Sequence, residues 1–149
     1  MRTHPMPLML LAFIIVACDS FGPNDVALSL TTDKASYQLA EEAILVTVVN
    51  ESAAPVYVGA CLWPERRVGD GWVALAESEL PDYTCQLVLY EVRSGTSTTI
   101  ASILPALPSG TYRLRLYDVQ LELDGDELVS GEFVTNPFFA EPAPGVPPG

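Results

Sequence analysis

"LPSGTYRLRL", Leu107 to Leu116, is the stretch that decides the fold. After the Pro-Ser-Gly turn signal, Tyr112, Leu114 and Leu116 alternate with Arg113 and Arg115. A period of two sends one set of side chains inward and the other outward, so this is a half-buried strand with a basic outer face. The pattern repeats in both directions along the chain. "VALSL" puts Val26, Leu28 and Leu30 on one face, and "AILVTVVN" sets Ile44, Val46 and Val48 against Leu45, Thr47 and Val49. "PVYVGAC" is a further run, and "LWPERRV" and "WVALAE" flank a Gly69-Asp70-Gly71 turn. "QLVLYEVR", "STTIASIL", "VQLEL" and "ELVSGEFV" follow, with Asp124-Gly125 as a hairpin signal between alternating runs. No useful window has the apolar spacing of a helix; Glu41-Glu42 after Leu39-Ala40 predicts one short turn at most. Short β-rich runs separated by turns predict an all-β, antiparallel sandwich of about 7–9 strands.

Several of these residues also carry a resemblance. Gly110-Thr111-Tyr112-Arg113-Leu114 resembles the tyrosine corner of immunoglobulin-like domains, in which the hydroxyl of the tyrosine bonds the preceding corner. Leu114 stands where a true immunoglobulin domain has its second core cysteine, so the resemblance implies no inter-sheet disulfide of that kind. "DKASYQLAEEAILVTVVNESAAPVYV" looks like the opening of bacterial immunoglobulin-like domains of exported lipoproteins, with Tyr37, Asn50 and Pro55 in the matching places. "ERRVGDGWVAL", "SGTYRL" and "VTNPFF" look like later motifs of those domains, in the same order. The resemblance spans residues 26–140. It implies an immunoglobulin-like β-sandwich in a cell-envelope setting and no particular activity.

The N-terminus supplies an address. Arg2 is followed by the apolar core Leu8 to Val16 and the small residue Ala17, the order of a secretory signal. The core is shorter than the about 20 apolar residues a spanning helix needs. Ile15-Val16-Ala17-Cys18 resembles the lipobox of bacterial lipoproteins, which implies a signal peptide over 1–17 and a diacylglycerol on Cys18. A free or paired thiol and a membrane-span residue are the alternatives for Cys18. At about 0.8 kcal/mol per buried methylene, two or three acyl chains hold a domain on a membrane where one lets go. Gly, Pro, Asn and Asp in 18–25 read as a tether, and the Pro/Gly-rich 141–149 as a disordered tail.

With Cys18 lipidated, Cys61 and Cys85 remain as an even pair in an oxidising compartment, where a disulfide is the expectation. Loss of the signal removes Arg2 and His4 and makes a chain of net charge −12 one unit more negative. So acidic a surface excludes nucleic acid as a partner. The expected partners are the membrane, through the lipid on Cys18, and an envelope protein or glycan; a monomer is expected.

Catalytic constellations are scarce. The single histidine lies in the signal, which removes His-based nucleophilic mechanisms, and the single lysine, Lys34, sits in a turn. No cofactor and no metal site is expected. Asp124 to Glu127, "DGDE", suits calcium by its hard oxygens but lacks the EF-hand spacing, and a plain hairpin turn is the better reading. Arg66, Arg67, Arg113 and Arg115 form either a basic patch or cross-strand pairs with Glu65, Glu91 or Glu132; pairing is favoured. The loop Ala76 to Thr84, pinned by Cys61–Cys85, is the candidate binding surface, with Glu77, Glu79, Asp82 and Tyr83 as its residues. Together these features predict a lipid-anchored, non-enzymatic interaction module of the bacterial cell envelope. The alternative is a protease inhibitor that presents the same loop.

Overall fold

The computed structural model describes residues 26–86, 88–122 and 128–142. Cys18, the tether, the Asp124 to Glu127 turn and 143–149 lie outside them. Among the described residues there are twelve strands: β1 (Leu28–Thr32), β2 (Ser36–Tyr37), β3 (Ile44–Asn50), β4 (Val56–Gly59), β5 (Leu62–Val68), β6 (Gly71–Ala74), β7 (Leu89–Val92), β8 (Ser97–Ser102), β9 (Gly110–Leu116), β10 (Val119–Gln120), β11 (Phe133–Val134) and β12 (Phe138–Ala140). Four of them are only two or three residues long. The longer ones fall within the expected number.

The fold is an all-β sandwich. One layer is the sheet β1-β3-β8; the other is β2-β12-β9-β5-β6, with β11 also on β9. The pairings are antiparallel except that of β12 with β2. The alternation seen in the sequence explains the layering. Ile44, Val46 and Val48 of β3 are fully buried while Leu45 is exposed. Across the core, Tyr112, Leu114 and Leu116 of β9 are buried in turn. Burial of each such aliphatic side chain contributes about 1.5–3 kcal/mol, set against chain entropy.

The sheet β10-β4-β7 continues the second layer across a bend. Leu62 pairs with Leu116, but Val58 pairs with Val119. The β4–β5 arm therefore carries one residue more than the β9–β10 arm between those pairs, and the excess is a bulge. Gly59 makes the bend possible. Its N–H donates to the Asp118 carbonyl at 2.8 Å, and a Cβ there would meet Asp118 side-chain atoms at 2.6–2.7 Å.

Phe138 joins β2 to β9. Tyr37 meets it edge-on at 5.3 Å and Tyr112 stacks on it at 6.4 Å between centroids. The Tyr112 hydroxyl donates to the Pro108 carbonyl at 2.8 Å, which ties the strand to its entering corner. The Tyr37 hydroxyl donates to Asp33 at 2.6 Å and accepts the Lys34 N–H at 2.9 Å. Asn50, fully buried at the end of β3, donates to the carbonyls of Ala54 and Val92 and accepts the Ser52 N–H, all at 2.8 Å. One amide thus bonds backbone groups in the turn after β3 and at the end of β7.

Candidate functional site

Cys61 follows the bulge, and its disulfide to Cys85 joins β5 to the segment that leads into β7. Between them runs the loop expected to form the binding surface. It is braced from inside. Leu75 and Leu80 are buried, and the Trp63 indole donates to the Leu75 carbonyl at 2.9 Å. Glu77 to Glu79 make one 3₁₀ turn, whose Glu79 carboxylate accepts the Ala76 N–H at 3.0 Å.

The four residues named from the sequence do not converge. Glu77 and Asp82 are exposed; Asp82 takes a left-handed φ of 62°, which lets the chain reverse after Pro81. Glu79 is engaged by Arg66 at 3.3 Å. Tyr83 turns inward: its hydroxyl donates to the Leu62 carbonyl, lies 3.3 Å from Ser102 Oγ, and its ring packs edge-on against Trp63 at 5.9 Å. Burial pushes the Tyr83 phenol above its ordinary pKa, and the hydrogen bond from Ser102 opposes this. Tyr83 is therefore a brace, and the acidic tip of the loop stands apart from it.

Beside the brace lies an open cleft of ≈ 380 Å³. The segment Asp82 to Gln86 forms one wall and Ile100 to Ile103 the other, with Tyr90 and Ala60 between. Among the described residues that line it, Asp82 alone is charged.

The arginines of β9 resolve into a second cluster, on the outer face of the larger sheet. Glu65, 4% exposed, accepts from Arg113 Nε at 2.6 Å and from Arg115 Nε. Glu132 accepts from both guanidinium groups, at 2.8 and 3.3 Å. Burial raises the pKa of Glu65, but hydrogen bonds and charge from Arg115 and Arg113 outweigh it and hold the carboxyl below its ordinary value. Arg113 also covers the Trp72 ring at 4.6 Å. Cross-strand pairing with Glu65 and Glu132 thus occupies these arginines, whereas Glu91 stands opposite Tyr57 in another sheet. The cluster is a neutralised strut.

The described residues hold no group of three or more His, Cys, Asp or Glu side chains placed for a metal ion. Lys34 pairs with Glu42 at 3.2 Å. No described helix is long and apolar enough to cross a membrane. Comparison with protein-family models and with curated proteins finds no match to this chain.

Sequence reasoning missed the buried position of Glu65 and the inward turn of Tyr83. The first had a signal in the register: a glutamate directly opposite Arg113 on an outward row. The second had none, because a tyrosine in a loop reads equally well as anchor or ligand surface.

Proposed function

We propose that this chain is a lipid-anchored protein of the bacterial cell envelope, whose single immunoglobulin-like sandwich serves as a non-enzymatic interaction module. The observation that carries the reading is cysteine usage. Cys18 closes a lipobox-like tetrapeptide, and the two cysteines left over are joined to each other. A disulfide inside a small domain suits an exported protein. The hydrogen bond from Tyr112 to Pro108 supports the immunoglobulin-like comparison, since it is the contact that a tyrosine corner makes. The absence of histidine after residue 4 supports a role in binding rather than in general acid–base catalysis.

The inhibitor reading receives less support. An inhibitory loop needs an extended, outward segment for a protease cleft, but Leu80 and Tyr83 face the body of the domain. We therefore favour the interaction module.

Mass spectrometry of the mature N-terminus tests the address. The expected species begins at Cys18 and carries a diacylglycerol thioether. An unmodified Cys18 still joined to Ala17 refutes the anchor. Crosslinking in cells, followed by identification of the captured polypeptide, tests the module; a chain that crosslinks only to lipid refutes it.

A further inference from the structure

The outer edge of the β1-β3-β8 layer is uncharged although the chain is acidic. β8 reads "STTIAS", with no charge and no proline, and it ends beside Ile103, which is 66% exposed. Among the described residues no strand pairs with its outer side. Edges of this kind are commonly guarded by lysine, proline or a covering loop, because an open row of N–H and C=O groups recruits another strand.

The phase of the ladder shows which groups are open. The Asn50 N–H donates to the Thr96 carbonyl and the Asp33 N–H to the Leu45 carbonyl, both at 3.0 Å. In β3 the even positions therefore bond toward β8 and the odd ones toward β1. Thr98, Ile100 and Ser102 face Val48, Val46 and Ile44 and direct their amides into the sheet. Ser97, Thr99 and Ala101 direct theirs outward. The cleft continues this edge, with Ile100 to Ile103 as one wall and Asp82 to Gln86 opposite.

We propose that β8 is a strand-addition site, and that its occupant is an extended, basic segment of another polypeptide. Backbone groups of Ser97, Thr99 and Ala101 pair with the incoming strand, and the cleft takes its side chains beside Ile103. Charge selects the occupant. The chain carries −12, and among the described residues the cleft is lined by Asp82 and by no lysine or arginine. A second copy would bring the same excess of negative charge, which opposes pairing of two β8 edges. The proposal rests on the interaction-module reading and names its surface.

The test uses the full mature chain in neutral detergent and a fluorescein-labelled peptide of alternating valine and lysine. Anisotropy is expected to show saturable binding. Methylation of alternate peptide nitrogens keeps the charge but removes the ladder, and is expected to weaken binding at least about tenfold. Thr99→Pro deletes one outward N–H without touching the ladder to β3 and is expected to weaken it likewise. If that variant fails to fold, the methylated peptide still decides the matter on the wild-type chain. Three results overturn the proposal: equal binding of the methylated peptide, equal binding of a valine/glutamate peptide, or a dimer in sizing experiments that Thr99→Pro dissociates. Crosslinks that map to another surface also overturn it but leave the module standing. An unmodified Cys18 removes the anchor and leaves the edge untouched.

Discussion

Glu65→Gln keeps the shape of a buried side chain and removes the charge on which two arginines converge. The Glu65 side chain is 6% exposed, that of Arg113 13% and that of Arg115 21%. Removal of one partner from a buried ion pair costs about 3–5 kcal/mol, because the remaining charge is stranded. Here the stranding is incomplete. Glu132, 60% exposed, still accepts from both guanidinium groups, and both arginines reach some water. The expected loss is therefore about 2–3 kcal/mol. Urea unfolding of the disulfide-intact domain measures it through the midpoint at constant slope. The acid limb gives an independent reading. A carboxyl whose folded pKa lies below its unfolded value stabilises fully above the unfolded value, near 4.5, and loses that contribution as pH falls through the folded one. Wild-type stability should fall below about pH 4.5 more steeply than that of Glu65→Gln. A double-mutant cycle with Arg113→Met should show coupling, since the two side chains touch. A loss under about 0.5 kcal/mol with no coupling would refute the strut and mark the cluster as a solvated pair.

Three further outcomes are expected. Cys61→Ala with Cys85→Ala opens a loop whose ends are 24 residues apart, and chain entropy puts the cost at about 3.5 kcal/mol by denaturant titration; two reactive thiols in the denatured, unreduced wild-type chain would contradict the bond itself. Gly59→Ala brings a Cβ to 2.6–2.7 Å from the Asp118 side chain and should destabilise by about 1–3 kcal/mol, with recovery on adding Asp118→Gly; an unrecovered loss would locate the strain elsewhere. Burial and the Asp33 hydrogen bond raise the Tyr37 phenol to about 12, so its contribution is complete below pH 10 and disappears as pH rises toward 12; the alkaline limb of thermal melts should flatten in Tyr37→Phe.

Periodicity made the large strands legible. β9 could be read from "TYRLRL" because one face had to be apolar whatever lay opposite, and the same holds for β3. The fate of the arginines was legible for a related reason: outward arginines in an acidic chain find carboxylates, and Glu65 stands opposite Arg113 in the ladder. β2 was not legible. Ser36-Tyr37 is a strand only because Phe139 and Ala140 pair with it in parallel, and two residues have no period. The bulge at Gly59 was hidden as well, since it is a difference between two registers and neither arm contains it alone. Tyr83 reads from the sequence as part of the candidate binding loop, because its amphipathic ring fits either side of a boundary. Only the position of the Leu62 carbonyl and Ser102 decides that it points inward.

The contrast between the two outer faces gives the strongest argument about how such a domain can work. On the larger sheet, charge is spent within the molecule: Glu65, Arg113, Arg115 and Glu132 satisfy one another and offer little to a partner. On the smaller sheet, the row Thr31, Thr47 and Thr99 lies in register across all three strands, and the β8 edge beside it carries no charge. An uncharged open edge would endanger a neutral protein, because copies could pair through it. A net charge of −12 changes that balance. Within a Debye length of about 8 Å, this excess would oppose the alignment of two copies and favour a basic strand. A lipid tether would raise the local concentration of copies and so sharpen the need for this repulsion. On the strand-addition proposal, the acid excess would favour a partner of opposite charge at this edge and oppose pairing with a second copy.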